Sequence, residues 1–162
     1  MRMLAAVAAT LAIVYGISSA AESAATRKVV FVCEHGNVKS LMAASYFNQL
    51  ATQRGLPFRA VSRGVAPDST TVPKPIVAGL HADGVDVSDF HPSKFAAADV
   101  VDAARVVAIG TELPANATAA ELPIERWNDV PPASTNYDAA RISLKAHVAE
   151  LLDRLDGYNK RK

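Results

Sequence analysis

The chain has 162 residues, half of them apolar and 20% charged, with a formal net charge of +1. That length supports one domain with a single sizeable core. The near-balance of charge excludes the broad field that binding to nucleic acid or anionic lipid requires, so small molecules are the expected partners.

Arg2 precedes an uncharged apolar stretch from Leu4 to Ile17, closed by Ser18-Ser19-Ala20. This is the build of a secretory signal peptide, because the apolar segment falls short of the ~20 residues a spanning helix needs and ends in small residues. Cleavage after Ala20 is expected, giving a periplasmic or secreted protein with no stable membrane insertion; an uncleaved anchor is the alternative. Residues 21–27 read as a short extension, 28–158 as one α/β domain and 159–162 as a basic tail.

Lys28 to Val32 is short, β-branched and nearly all apolar, as a central strand covered on both faces must be. Glu34 to Ser40 then connect it to a helix in which Ala43, Phe47 and Leu50 fall on one face. A strand, loop and helix start in this order make an anion site, since loop amides and the helix dipole converge on one point. The same field favours thiolate over thiol, so Cys33, the single cysteine, reads as an activated nucleophile. Its bland alternative is a small buried hydrophobe.

Phe58 to Gly64 follows as a second strand, then a proline-bounded loop and a helix from Lys74 through Ala82. Val85 to Ser88 reads as a short extended piece, and His91-Pro92-Ser93-Lys94 as the opening of a helix carrying Phe95, Ala98 and Val101. Arg105 to Gly110 is a third strand, and Leu122 to Trp127 a fourth at an edge, since it tolerates proline. Asn136-Tyr137-Asp138 begins the last helix, whose Leu144, Val148, Leu151 and Leu155 make a buried stripe. Strands alternating with helices imply an α/β fold: a four-stranded parallel sheet flanked by helices on both faces, with ligands at the carboxyl ends of the strands. His81, His91 and His147 show no metal-ligand spacing, so no metal or cofactor is expected.

Cys33, five residues, a cation and then Ser40, placed after a first strand, resemble the low-molecular-weight protein tyrosine phosphatases and the arsenate reductases of the same fold. Two departures stand out: Lys39 occupies the position of the family's arginine, and the loop's Gly-Asn pair is displaced by one position to Gly36-Asn37. Arginine grips two oxygens of a phosphate with a planar fork, whereas lysine offers a point charge. The resemblance implies catalytic roles for Cys33, Lys39, Ser40 and Asp129: nucleophile, cation, hydrogen-bond partner of the sulfur, and general acid. Glu34, His35, Gly36, Asn37, Val38, Lys39 and Ser40 form its oxyanion loop. Glu34 and His35 are foreign to the family pattern, and His35 can add charge at mildly acidic pH.

The resemblance gives as the leading expectation an exported phosphatase that hydrolyses phosphate monoesters, phosphotyrosine in protein among them, through a phosphocysteine. A non-catalytic binder of phosphate or arsenate is one alternative. An arsenate reductase using an external thiol is the other, because a direct relay needs two more cysteines than the chain has.

Overall fold

The computed structural model describes residues 25–115 and 124–159. The expected signal peptide and residues 160–162 of the tail lie outside them. Four strands, β1 (Arg27–Cys33), β2 (Phe58–Gly64), β3 (Ala103–Ile109) and β4 (Ile124–Trp127), form one sheet in the order β2-β1-β3-β4. Every pairing is parallel. The helices are α1 (Lys39–Gln53), α2 (Lys74–Ala82), the single turn α3 (Ala97–Val100) and α4 (Tyr137–Asn159). The sheet, its parallel sense and its flanking helices agree with the sequence expectation, and the central place of β1 follows from its continuous apolar run.

Alternate residues of the central strands face opposite cores. Val29, Phe31, Cys33, Val107 and Ile109 pack with α1, α2 and α4, while Val30, Val32, Val106 and Ala108 pack with Phe95, Val100 and Leu113. On the first face Phe31 meets Phe47 edge-on at 5.7 Å and lies 5.4 Å from Trp127, so strand, α1 and β4 share one aromatic cluster. The stripe on α4 is broader than its four expected members, with Ala140 and Leu152 also buried.

One local expectation differs. The helix expected from His91 shrinks to the turn 97–100. The cause is a bridge beside the end of β2: Gly64 N–H donates to Ser93 O at 2.9 Å and Phe95 N–H donates to Gly64 O at 2.8 Å. Residues held extended in this way cannot enter a helix. Asp99 then starts the turn, accepting from Ala96 N–H at 2.9 Å and from Arg63 Nε at 2.7 Å.

Two polar devices finish the fold. At the outer edge of β2 the Asn48 side chain accepts from Ala60 N–H at 2.7 Å and donates to Ala60 O at 3.0 Å. Asp83, just past α2, accepts from Tyr46 Oη at 2.8 Å, Arg141 Nη1 at 3.1 Å and Lys145 Nζ at 3.2 Å, tying α2 to α1 and α4. Burial pushes the Asp83 carboxyl up, but the Tyr46 and Lys145 hydrogen bonds and the charges of Lys145 and Arg141 outweigh it and hold it below its ordinary value. A depressed carboxyl contributes stability above its unfolded value and loses it as pH falls through its folded value. Asp83→Asn is therefore expected to lower the unfolding midpoint by a few degrees at pH 7, and the gap to narrow as pH falls below the ordinary carboxyl range, as thermal melts from neutral into acid pH will show.

Candidate active site

The site begins where β1 stops. Cys33 is buried at the carboxyl end of the strand, and the loop 34–38 climbs over the end of β2 before α1 begins. Val65 N–H donates to Cys33 O at 3.0 Å and Ala66 N–H to Glu34 O at 2.8 Å, so the loop rides on the chain leaving β2. At the crossing Gly36 has φ +76°, and a Cβ there would fall 2.6 Å from Gly64 N. A Cβ on Gly64 would fall equally close, 2.6 Å, to the carbonyl carbon of His35. The displacement of Gly-Asn by one position thus has a physical reason, since position 36 is both left-handed and in backbone contact. The next residue, Asn37, is buried and donates to Thr71 O at 3.0 Å, anchoring the loop that follows β2.

The Cys33 sulfur has two polar neighbours: Gly36 N–H donates to it at 3.3 Å, and Ser40 Oγ lies 2.9 Å away. Ser62 extends the set, with its Oγ 2.8 Å from Ser40 Oγ and 3.0 Å from Gly36 O. Proton counting allows two states. With a thiol, the sulfur donates to Ser40 and Ser62 donates to the Gly36 carbonyl. With a thiolate, Ser40 turns its proton to sulfur and Ser62 turns its proton to Ser40, so the sulfur gains a second donor. Ser62 is a contributor that sequence reasoning missed. Its signal was there, because Phe58, Ala60, Ser62 and Gly64 are the inward alternation of β2 and a serine on that face needs a partner.

Above the sulfur lies a cavity of about 260 Å³ whose lining includes Cys33, Glu34, His35, Lys39, Gly110 and Ala133. Lys39 reaches across to the end of β3, where a Cβ on Gly110 would meet its Nζ at 2.6 Å. Its ammonium makes no hydrogen bond or ion pair with another described residue. Glu34 and His35 stand on opposite sides: Thr111 Oγ1 donates to Glu34 Oε2 at 2.9 Å, while His35 Nδ1 lies 3.2 Å from Ala66 O and 3.3 Å from Asp68 Oδ1. Among the described residues no cluster of His, Cys, Asp and Glu could hold a metal ion. A larger hollow of about 780 Å³ runs along the outer edge of β2 between α1 and residues 84–90, away from Cys33 and Lys39.

Asp129, the expected general acid, is not among the residues this cavity brings together. Val130 and Ala133 turn inward and are buried, which leaves Asp129 facing out, 71% exposed and 3.1 Å from His147 Nε2. His147 in turn stacks on Trp127 at 4.8 Å. The segment that does reach the cavity is Pro132-Ala133-Ser134, which carries no carboxyl. An exposed pair of this kind is worth at most about 1 kcal/mol. With its carboxyl outside the cavity, Asp129→Asn is expected to change the turnover of an aryl phosphate by less than about threefold in a steady-state assay, and a loss on the order of a hundredfold would assign the general acid to Asp129.

The fold has counterparts among known proteins. YfkJ from Bacillus subtilis superposes with a TM-score of 0.71 at 19% identity, covering 83% of this chain and 97% of that one. A low molecular weight protein tyrosine phosphatase from T. tengcongensis gives a TM-score of 0.60 at 22% identity, covering 79% of this chain and 99% of its own. A thioredoxin-dependent arsenate reductase from Corynebacterium glutamicum gives 0.66 at 17% identity, over 82% of this chain and 63% of that one. No curated protein sequence matches. At these identities the structures speak for the fold. Sequence adds the rest: residues 28–126, which contain the Cys33 loop and all four strands except the first residue of β1 and the last of β4, match the model of the low molecular weight phosphotyrosine protein phosphatases, and the chain belongs to that family.

Proposed function

We propose that this chain hydrolyses phosphate monoesters through a covalent phosphocysteine on Cys33. The observation that carries the reading is the sulfur at the floor of a cavity, between the Gly36 amide at 3.3 Å and the Ser40 hydroxyl at 2.9 Å, with the Lys39 ammonium, unpaired among the described residues, on the same wall. Both the amide and the hydroxyl can donate to a thiolate, the form that attacks. As the Sγ–P bond forms and the ester P–O bond breaks, Lys39 and the amides of the loop from Glu34 to Ser40 carry the charge of the equatorial oxygens. Electrostatic stabilisation of this kind is commonly the largest single contribution to catalysis. Water then attacks phosphorus, the Sγ–P bond breaks and inorganic phosphate leaves. Arsenate fits the same oxyanion site, but the chain's single cysteine leaves its reduction dependent on an external thiol.

Mixing the protein with excess 4-nitrophenyl phosphate tests this. A burst of 4-nitrophenol equal to the protein concentration, followed by steady release, is the expected result. Phosphate binding without any release of nitrophenol overturns it in favour of an oxyanion binder. Export through a signal peptide ending at Ala20 is part of the proposal, and the N-terminal sequence of the protein recovered from an expressing cell decides it, residue 21 being the expected start.

A further inference from the structure

Departure of an alkoxide or phenoxide needs a proton, and with Asp129 facing His147 its source has to be sought within the cavity. Two titratable side chains besides Cys33 and Lys39 line it, Glu34 and His35. Their hydrogen bonds differ in kind. Glu34 Oε2 receives a proton donor, the Thr111 hydroxyl, and so is held as an acceptor. His35 Nδ1 faces the Ala66 carbonyl, an obligate acceptor, and the Asp68 carboxylate at 3.3 Å, so Nδ1 carries the hydrogen and Nε2 is the nitrogen that exchanges protons. A carboxylate on one ring nitrogen fixes the tautomer and stabilises the imidazolium, the arrangement that turns a histidine into an acid–base catalyst.

We propose that His35, positioned by Asp68, is the general acid of the reaction. The inference rests on the phosphatase reading above. In the first step the imidazolium gives its Nε2 proton to the ester oxygen as the P–O bond breaks and the Sγ–P bond forms, leaving neutral imidazole with its hydrogen on Nδ1. In the second, that imidazole takes a proton from the attacking water as the O–P bond forms and the Sγ–P bond breaks, which restores imidazolium and thiolate. The groups facing His35 are Asp68 from the loop after β2, Glu34 before it and Lys39 at the head of α1; residues 132–134 add no charge.

The test compares two esters, because a good leaving group needs no proton and a poor one does. His35→Asn is expected to slow phenyl phosphate hydrolysis on the order of a hundredfold and 4-nitrophenyl phosphate far less, and to abolish the fall in rate on the basic side of the pH profile. Asp68→Asn, on an exposed loop, removes the carboxylate that holds the Nδ1 hydrogen and should raise the bias toward the better leaving group in the same direction as His35→Asn. It also decides the matter if His35→Asn does not fold. Equal losses on both esters with the wild-type protein active, or the leaving-group bias following Glu34→Gln instead, overturn the role of His35 and leave the phosphatase reading standing. A wild-type protein inert toward both esters overturns the phosphatase reading, and the acid with it.

Discussion

Cys33→Ser is expected to bring aryl phosphate turnover below detection, a loss on the order of 10⁴-fold or more, while the protein stays folded. The substitution is nearly isosteric, and a hydroxyl can keep both neighbours of the sulfur, the Gly36 amide and Ser40 Oγ. What is lost is the nucleophile's charge, because two hydrogen-bond donors make a thiolate available but cannot ionise an alcohol. Three measurements separate the causes. The burst of nitrophenol should vanish, the far-ultraviolet circular dichroism should be unchanged, and inorganic phosphate should still bind. A Cys33→Ser protein that retains turnover would place the reaction elsewhere in the molecule.

The second large effect concerns backbone. Gly36→Ala should cost about 3 kcal/mol or more, lowering the unfolding midpoint on the order of 10 °C, and should silence the enzyme as well. A left-handed alanine alone costs roughly 1–2 kcal/mol. The added methyl must also displace the main chain at Arg63 and Gly64, at 2.6–2.9 Å, where no flexible side chain can yield. Because the Gly36 amide is one of the two donors on sulfur, the same shift spoils the nucleophile. Gly64→Ala presses on the His35 carbonyl from the other side and should do similar damage. Thermal melts beside burst amplitudes will report both losses, and an alanine variant of unchanged midpoint would contradict the close contact.

Much of this site could be read from residues in a row. The apolar run 29–33, the loop and the serine at 40 are local in sequence, and a strand–loop–helix junction has one way to place its amides. The strand order could not be read so directly, since nothing in β3 says that it lies on the far side of β1 from β2. Distance along the chain also hid Ser62 and Asp68. Each acts through a contact with a residue more than twenty positions away, and only the register of β2 hints at the first. The placement of Asp129 was hidden for a different reason. An aspartate close to prolines after the fourth strand fits the family pattern, but the burial of Val130 decides which way its neighbour points. The helix expected from His91 failed on a long-range contact too, the bridge that holds residues 93–95 extended against Gly64.

The Asn48 amide on Ala60 bears on how the molecule behaves in a crowd. β2 is an outer strand, and the unpaired main chain of such a strand is a template on which a second copy can add its own strand, the first step toward an aggregate. Asn48 presents one acceptor and one donor to the N–H and C=O of a single residue, as a neighbouring peptide group would, so a side chain stands in for a fifth strand at mid-edge. An incoming chain would have to displace it to gain two hydrogen bonds already made. Asn48 thus guards solubility from a helix whose other end builds the active site.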